Sequence, residues 1–331
     1  MSAAEMAIWA RAHHLTREDI HSALWKRRLL VKTSCMRQTL HLIPAADFAI
    51  YINALKKSRL EALMRIMSKF GITQRDVDAL NQLIMDALSD GPKTQRQLGE
   101  QIKPAVGNNL RTWMETAWGI QTFRAALVEG SICYGPNHGK GATFVRVDHW
   151  LPKQKDVTEQ KAKQILLRRY LRAYGPATVH DFAKWAGFPM KEARAVWTSL
   201  DEELVEIMVE DKKTFILRED QDELGNSHLK GKIVRLLPNF DSYLLGHADR
   251  DHLVSTQYYK RVYRNQGWIS PVILLNGRVI GTWSNKRRPN MLSLEIEPFE
   301  TFSKNTHIQI EEEATSLANF LGTSWEISFS K

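Results

Sequence analysis

Two stretches of the chain repeat one arrangement of apolar and polar positions. Residues 80–102 and 164–187 each combine a segment of helical apolar spacing, a Gly-Pro pair, a Thr two residues after the Pro, and a second short helical segment. Glycine accepts left-handed backbone geometry and proline cannot continue a helix, so each Gly-Pro pair predicts the end of a helix. Thr94 and Thr178 are therefore predicted to cap the helices that follow.

The same order of elements continues after each repeat. A further helix is predicted near 109–129 and near 190–200, and each is followed by two strand-like runs around a turn, within 131–147 and 204–218. Helix, turn, helix, helix and β-hairpin is the order of a winged helix-turn-helix module. The N-terminal segment fits a shortened version of this order, with a linking helix over 45–70.

The pattern changes near residue 223, from which strand-like runs dominate. Asn276-Gly277 lies between two apolar runs and predicts a tight hairpin turn, and an amphipathic helix and a closing strand follow. We therefore predict an α+β protein with tandem winged helix-turn-helix modules and a C-terminal small β-barrel-like domain. The predicted boundaries are 1–70 for the shortened first module with its linking helix, 71–157 and 158–222 for the second and third modules, and 223–331 for the mixed β domain.

The composition is that of an ordinary globular protein and excludes several other classes. The 331 residues are 43% hydrophobic and 25% charged, which does not suit a collagen-like, disordered or disulfide-framework chain. No apolar run approaches the ~20 residues of a membrane helix, and the N-terminus lacks a signal-peptide core. With only two cysteines, Cys35 and Cys133, we expect a reduced, cytoplasmic setting without a Cys-rich zinc site or a small-molecule cofactor.

The positive charge is concentrated in one part of the chain. The formal net charge is +9, and residues 1–70 hold twelve Lys and Arg against five Asp and Glu. The later segments are close to neutral. A basic module beside nearly neutral ones favours an anionic partner, most often nucleic acid or an anionic membrane surface; the alternative is a generically basic protein.

The side chains that we predict to contact DNA lie in the basic module, in the turn of the second hairpin and in a C-terminal loop. Three of them alternate along a predicted strand, so one face would present a cation, a hydroxyl and an imidazole; a network that fixes the hairpin is the alternative. The predicted DNA-binding residues are Arg27, Arg28, Arg37, Thr39, His41, Lys140, Arg287 and Arg288. The three that alternate along the predicted strand are Arg37, Thr39 and His41.

A second polar cluster opens the β domain. Asp241, Tyr243 and Arg250 are predicted at a domain junction or near a cleft, and a structural role is favoured for Asp241. The same segment holds four potential metal ligands within six residues, but no His or Cys lies at the spacing of a zinc site, so we predict no metal. No Ser/His/Asp or Cys/His spacing supports nucleophilic catalysis, and the catalytic residues stay unassigned.

Four stretches resemble one known family. MRQTLHLIPAADF (36–48) is similar to the Met-Arg-Gly-Thr-Leu-His element of the AlkZ-like winged-helix DNA glycosylases, and RRYLRAYGPATVHDFAKWAGF (168–188) resembles their third repeat. LLPNFDSYLLGHADRD (236–251) and NGRVIGTWS (276–284) resemble parts of their C-terminal β domain. The four stretches occur in the expected order and span nearly the whole chain.

The resemblance implies a fold, a partner and an activity. It implies three winged-helix modules and a small β-barrel in a C-shaped arrangement, with double-stranded DNA on the concave face. It also implies hydrolysis of the N-glycosidic bond of an alkylated or crosslinked purine, with the water and the oxocarbenium-like sugar held by a Gln-x-Gln or Gln-x-Asp pair. We expect double-stranded DNA, including alkylated DNA, as the partner, and no membrane.

The sequence departs from the family at that glutamine pair. Met1 stands where the residues just after the pair would lie, which is explained either by a start codon assigned too late or by loss of the catalytic element. Gln95-Arg96-Gln97 matches the string but lies in the second repeat, where an exposed polar helix face explains it. The alternatives to an enzyme are a non-catalytic, regulatory DNA-binding protein and a protein-interaction scaffold. We expect the 331-residue chain to bind DNA and to release 7-methylguanine poorly.

Overall fold

The protein is an α+β molecule with fourteen helices and twelve strands in the part that the structure describes. The structure is a computed structural model that describes every residue except 1, 13, 117, 118, 227–230, 289 and 331, and only the backbone of 119, 120 and 287. Within these residues, no helix is both long enough and apolar enough to span a bilayer.

Several helices begin at a residue whose side chain caps them. Thr94 and Thr178 each accept a bond from the backbone three residues on (3.3 and 3.2 Å), which confirms both as helix caps. Thr16 caps in the same way. The helices are α1 (Ala3–Trp9), α2 (Arg17–His21), α3 (Phe48–Met67), α4 (Gln74–Ala87), α5 (Gln95–Ile102), α6 (Asn108–Thr116), α7 (Arg124–Glu129), α8 (Val147–Trp150), α9 (Glu159–Tyr174), α10 (Val179–Ala186), α11 (Met190–Thr198), α12 (Gln221–Asn226), α13 (Tyr259–Val262) and α14 (Lys304–Leu321).

The strands form two five-stranded sheets and one hairpin. They are β1 (Leu30–Ser34), β2 (Leu40–Pro44), β3 (Lys93–Thr94), β4 (Ile132–His138), β5 (Gly141–Arg146), β6 (Leu204–Val209), β7 (Lys212–Leu217), β8 (Val234–Leu237), β9 (Val272–Leu275), β10 (Arg278–Arg288), β11 (Met291–Pro298) and β12 (Ser324–Phe329). Every hairpin predicted from the sequence is present.

The chain divides into two compact units. The first unit comprises Met1–Ile20, Tyr174–Trp185 and Glu203–Lys331, and the second comprises His21–Ala173 and Ala186–Glu202. The four boundaries predicted from the sequence stay a prediction.

The second unit is built around the sheet β2-β1-β4-β5-β3. Strand β1 pairs antiparallel with both β2 and β4, so the N-terminal hairpin and the hairpin β4-β5 share one sheet. Helices α4 to α7 enclose an apolar core with one face of this sheet, including Leu80, Ile84, Phe123 and Phe144. Burial of these side chains provides the main driving force for folding of the unit.

The first unit contains the sheet β12-β11-β10-β9-β8. This sheet is a curled half-barrel, in which β8 and β12 form the two edges and, within the described residues, pair with β9 and β11 alone. Asn276 and Gly277 join β9 to β10 with φ of 51° and 83°, which confirms the predicted tight turn. Trp283 lies buried on β10 and donates to the carbonyl of Leu237 (2.9 Å).

One predicted helix is interrupted. The sequence predicts a continuous helix near 109–129, whereas the structure has α6, a 3₁₀ turn at Gly119–Phe123, and α7. Ala125, Ala126 and Leu127 of α7 are buried in the core of the second unit. A continuous apolar stripe therefore predicted the buried face but not the break in the helix axis.

Candidate nucleic-acid interface

The adjacent arginines that precede β1 have different surroundings. The Arg27 side chain is exposed at the end of a π-helical turn, Ser22–Lys26. Arg28 has φ of 54°, its guanidinium lies 4.0 Å from the centre of the Trp150 ring, and Nη1 donates to the Trp150 carbonyl (3.4 Å). Arg28 therefore stabilises the packing of α8, and Arg27 is the better candidate for a phosphate contact.

The predicted alternation of Arg37, Thr39 and His41 along one strand is wrong. Only His41 lies in β2; Arg37 occupies a 3₁₀ turn, Met36–Gln38, with φ of 52°. Thr39 Oγ1 donates to the carbonyl of Met36 (3.1 Å), which closes this turn. The physical reason is the hairpin itself: β1 and β2 pair as far as Ser34 opposite Leu40, so residues 35–39 form its loop, with positive φ at Arg37 and Gln38.

His41 is held in a defined tautomer. Its Nδ1 lies 2.9 Å from the carbonyl oxygen of Thr39, and because a carbonyl only accepts, Nδ1 carries the hydrogen and Nε2 remains an acceptor in the neutral ring. Burial lowers the pKa of His41 from its ordinary value of 6.5, and the nearby cations Arg37 and Arg59 lower it further, against the opposing effect of the Thr39 carbonyl. The site therefore favours a neutral imidazole.

Arg59 is a buried cation that the sequence analysis did not single out. Its side chain is 7% exposed and donates to the carbonyl (3.0 Å) and hydroxyl (2.7 Å) of Ser34. Burial lowers the pKa of Arg59 to about 10, and among the described residues no carboxylate pairs with it. Its position on the apolar stripe Ile52, Leu55, Leu63 of α3 was the available signal.

A groove of about 940 Å³ lies in the second unit between α5 and the hairpin β4-β5. Gln95, Gln97, Glu100 and His138 contribute to its lining, and Lys140 is exposed in the turn between the two strands. The side-chain oxygen Oε1 of Gln97 accepts from the backbone N–H (2.9 Å) and the hydroxyl (2.8 Å) of Thr94. Gln97 is thus part of a helix capping box, which agrees with the structural interpretation of the Gln95-Gln97 string.

The C-terminal basic loop is the tip of the hairpin β10-β11. Arg288 pairs with Met291 across the turn, and its side chain is exposed, 3.9 Å from the Glu326 carboxylate. Arg287 lies in β10, and its side chain is outside the described part of the structure. The strand pairing fixes the Arg288 backbone, and a phosphate would compete with Glu326 for its exposed guanidinium.

Asp241 is a buried carboxylate with a bidentate partner. Its side chain has no solvent exposure, and Arg11 donates to both oxygens (2.9 and 2.6 Å) while remaining 44% exposed. Asp241 also accepts from the backbone N–H of Tyr243 (2.9 Å), so it caps the 3₁₀ turn Ser242–Leu245. These contacts all lie within the first unit.

Tyr243 and Arg250 also have structural partners in the first unit. Tyr243 donates to the Gly277 carbonyl (3.0 Å), and Arg250 lies 4.0 Å from the Tyr263 ring centre and donates to the Tyr259 hydroxyl (3.2 Å). Their predicted location at a domain junction or cleft stays a prediction. Across the described residues, no three His, Cys, Asp or Glu side chains are arranged to hold a metal ion.

Comparison with known proteins gives one consistent result. A family model described as "DNA glycosylase AlkZ-like" matches residues 1–320. An interstrand DNA cross-link repair glycosylase of Streptomyces sahachiroi is 29% identical over 338 residues, which cover 98% of this chain and 87% of the relative. The solved structure of Streptomyces sahachiroi DNA glycosylase AlkZ is similar with a TM-score of 0.81 and 26% identity, over 99% of this chain and 89% of that chain.

Arg11→Ala is expected to destabilise the protein more than Asp241→Asn. Removal of the arginine leaves a buried carboxylate without its charged donor, which costs about 2–3 kcal/mol of unfolding free energy. The double variant Arg11→Ala/Asp241→Asn should recover part of this loss, since no buried charge remains. Urea unfolding measures all three, and Lys213→Ala, at an exposed ion pair with Glu206, is the control. A double variant no more stable than Arg11→Ala would contradict the argument.

His41 is expected to titrate below its ordinary value of 6.5 in an NMR pH series. Since the unfolded chain binds the proton more readily, this group stabilises the fold above pH ~6.5 and loses that contribution as pH falls towards its folded pKa. His41→Asn keeps a donor near the Nδ1 position and should flatten this part of the stability profile between pH 7.5 and 5.5. A His41 pKa at or above 6.5 would refute the inferred neutral imidazole.

Proposed function

Since the chain belongs to the DNA glycosylase AlkZ-like family, we propose that it binds duplex DNA and hydrolyses the N-glycosidic bond of alkylated purines, including purines within crosslinks. The observation that carries this proposal is the extent of the likeness to AlkZ, which covers 99% of this chain at a TM-score of 0.81. A likeness of this extent includes both compact units. The proposed substrate class follows from the cross-link repair glycosylase that the chain resembles.

We propose the tandem winged-helix organisation as the finer description of the fold. Helix-turn-helix pairs followed by antiparallel hairpins support modules at 1–70, 71–157 and 158–222, before the β domain at 223–331. In such modules a helix enters a groove while the hairpin contacts the backbone. Exposure of Lys140 at the turn of the second hairpin supports that role for it.

The proposed reaction transfers C1′ of deoxyribose from the purine to water. The C1′–N9 bond breaks, its electron pair goes to the purine, and water attacks C1′ and loses a proton. Alkylation at N7 makes the purine cationic, so it departs as a neutral base without prior protonation. The protein must then hold the water and stabilise the oxocarbenium-like sugar, for which polar groups near C1′ are needed.

A second candidate is a DNA-binding protein without glycosylase activity. The specific observation in its favour is that Gln97, in the one segment singled out for its Gln-x-Gln string, uses its side-chain oxygen to cap α5. Asp241 accepts from Arg11 and from the Tyr243 N–H, and His41 Nδ1 bonds the Thr39 carbonyl. Binding and base release are therefore tested separately.

Binding to random duplex DNA is expected to weaken steeply with salt, since neutralised phosphates release counterions. Arg27→Ala and Lys140→Ala should each weaken binding equally across sequences and flatten the logarithmic salt slope by about 1. Arg28→Ala should instead lower thermal stability, because it removes the contact with Trp150. Fluorescence anisotropy from 50 to 200 mM salt measures the slope, with exposed Lys304→Ala as the charge-matched control. Binding insensitive to salt would refute the proposed phosphate contacts.

Release of 7-methylguanine from methylated duplex DNA distinguishes the two candidate functions. A glycosylase releases the free base in a single-turnover assay above the rate without protein and leaves an abasic site that alkali cleaves. A non-catalytic binding protein retains salt-dependent affinity and releases the base only at the spontaneous rate. If the chain releases base, Gln97→Ala should leave the rate unchanged apart from any loss of stability, because the side chain is a helix cap.

A further inference from the structure

Two aromatic side chains of the first unit form an exposed pair. Phe240 and Trp268 are 42% and 46% exposed, and their ring centres lie 5.0 Å apart in an edge-to-face arrangement. Burying a large aromatic side chain contributes substantially to stability. Two adjacent rings that are nearly half exposed contribute much less to the stability of the fold. An exposed aromatic pair of this kind is a candidate contact surface.

The backbone holds Phe240 in an unfavourable conformation. Its φ is 57°, a left-handed value that favours glycine or asparagine over an aromatic residue. The turn is closed by the Asp241 N–H, which donates to the Pro238 carbonyl (3.3 Å), and the Asp241 side chain is fixed by Arg11. Because the buried ion pair fixes the next residue, the Phe240 ring is held outward at a cost in backbone strain.

Trp268 also follows a tightly bonded turn. The Arg264 N–H donates to the Trp268 carbonyl (2.8 Å), and the Trp268 N–H donates to the Asn265 carbonyl (3.3 Å). Within this loop Gln266 and Gly267 both have positive φ, of 59° and 75°. Hydrogen-bonded turns therefore fix the backbone at both residues, so a ligand loses less free energy to ordering the protein when it binds.

The segment that leads into Trp268 is positively charged. Residues 255–267 contain Lys260, Arg261 and Arg264 and no acidic residue. Arg261 pairs with Glu297 (2.8 Å), whereas the side chains of Lys260 and Arg264 are exposed. Exposed aromatic rings together with exposed cations in the segment that leads to Trp268 match a nucleotide, whose base stacks on aromatic rings while its phosphate binds Arg or Lys.

We propose that Phe240 and Trp268 form a stacking site for an unpaired nucleobase of bound DNA, with Lys260 and Arg264 contacting adjoining phosphates. This inference rests on the proposed DNA binding and adds a preference to it: the first unit selects DNA in which a base has left the helical stack. An extrahelical base presents both π-faces, while a paired base presents none, so the site contributes only where the duplex is locally unstacked.

The test compares two duplexes of one sequence, fully paired or with a single unpaired 2-aminopurine. The wild-type chain should bind the bulged duplex more tightly, and stacking on Trp268 should quench the 2-aminopurine fluorescence. Trp268→Ala should reduce the preference by roughly 5- to 150-fold, the usual range for loss of one stacked aromatic ring. Trp268→Phe retains a π-face and should keep most of it, and Phe240→Ala should weaken it.

Phe70→Ala is the matched control, because Phe70 is also 46% exposed and lies edge-to-face with another tryptophan, Trp113, at 5.2 Å. It should leave the preference unchanged, and thermal unfolding of every variant shows that the fold is retained. A wild-type chain that binds neither duplex refutes the proposed DNA binding. A chain that binds both duplexes equally, or a Trp268→Ala loss that is the same on both, leaves DNA binding intact and overturns the stacking site.

Discussion

A fully buried carboxylate must be neutralised, and in the first unit this requirement organises the start of the β domain. Asp241 accepts hydrogen bonds from both terminal guanidinium nitrogens of Arg11, which lies 230 residues earlier. It also caps the following turn by accepting from the Tyr243 N–H. Tyr243 in turn bonds the carbonyl of Gly277 in the β9-β10 turn. One buried charge thus links the N-terminal segment, the turn after β8 and a hairpin. A substitution at Arg11 is therefore expected to weaken the packing of all three segments.

The second unit holds the opposite case, a buried cation with which no carboxylate of the described residues pairs. Ser34 provides Arg59 with two oxygen acceptors, and burial makes the charged form harder to maintain. The positive charge acts on the neighbouring strand, where it helps to hold His41 neutral. The buried Cys35 thiol lies in the same region, and desolvation raises its pKa to about 12. A reactive thiolate is therefore disfavoured there, and the region favours the neutral forms of His41 and Cys35.

Local signals in the sequence predicted local structure well. The Thr caps, the Asn276-Gly277 turn and the hairpins each depend on residues within a few positions of one another, so the local sequence predicts them directly. The features that sequence could not supply depend on distant partners. Nothing near Asp241 indicates Arg11, and nothing near Arg28 indicates Trp150. The contacts of Arg28 and Asp241 therefore required the folded structure.

The same distinction changes how the basic character of the N-terminal segment is interpreted. A surplus of seven positive charges in residues 1–70 overstates the charge available to a partner, because Arg28 packs on Trp150, Arg11 neutralises Asp241 and Arg59 is buried. Counterion release counts only cations that reach phosphates, so the electrostatic part of DNA affinity is smaller than the formal charge implies. Contacts that do not depend on charge must then contribute more to recognition. The exposed rings of Phe240 and Trp268 offer such a contact, since stacking on a base is only weakly screened by salt.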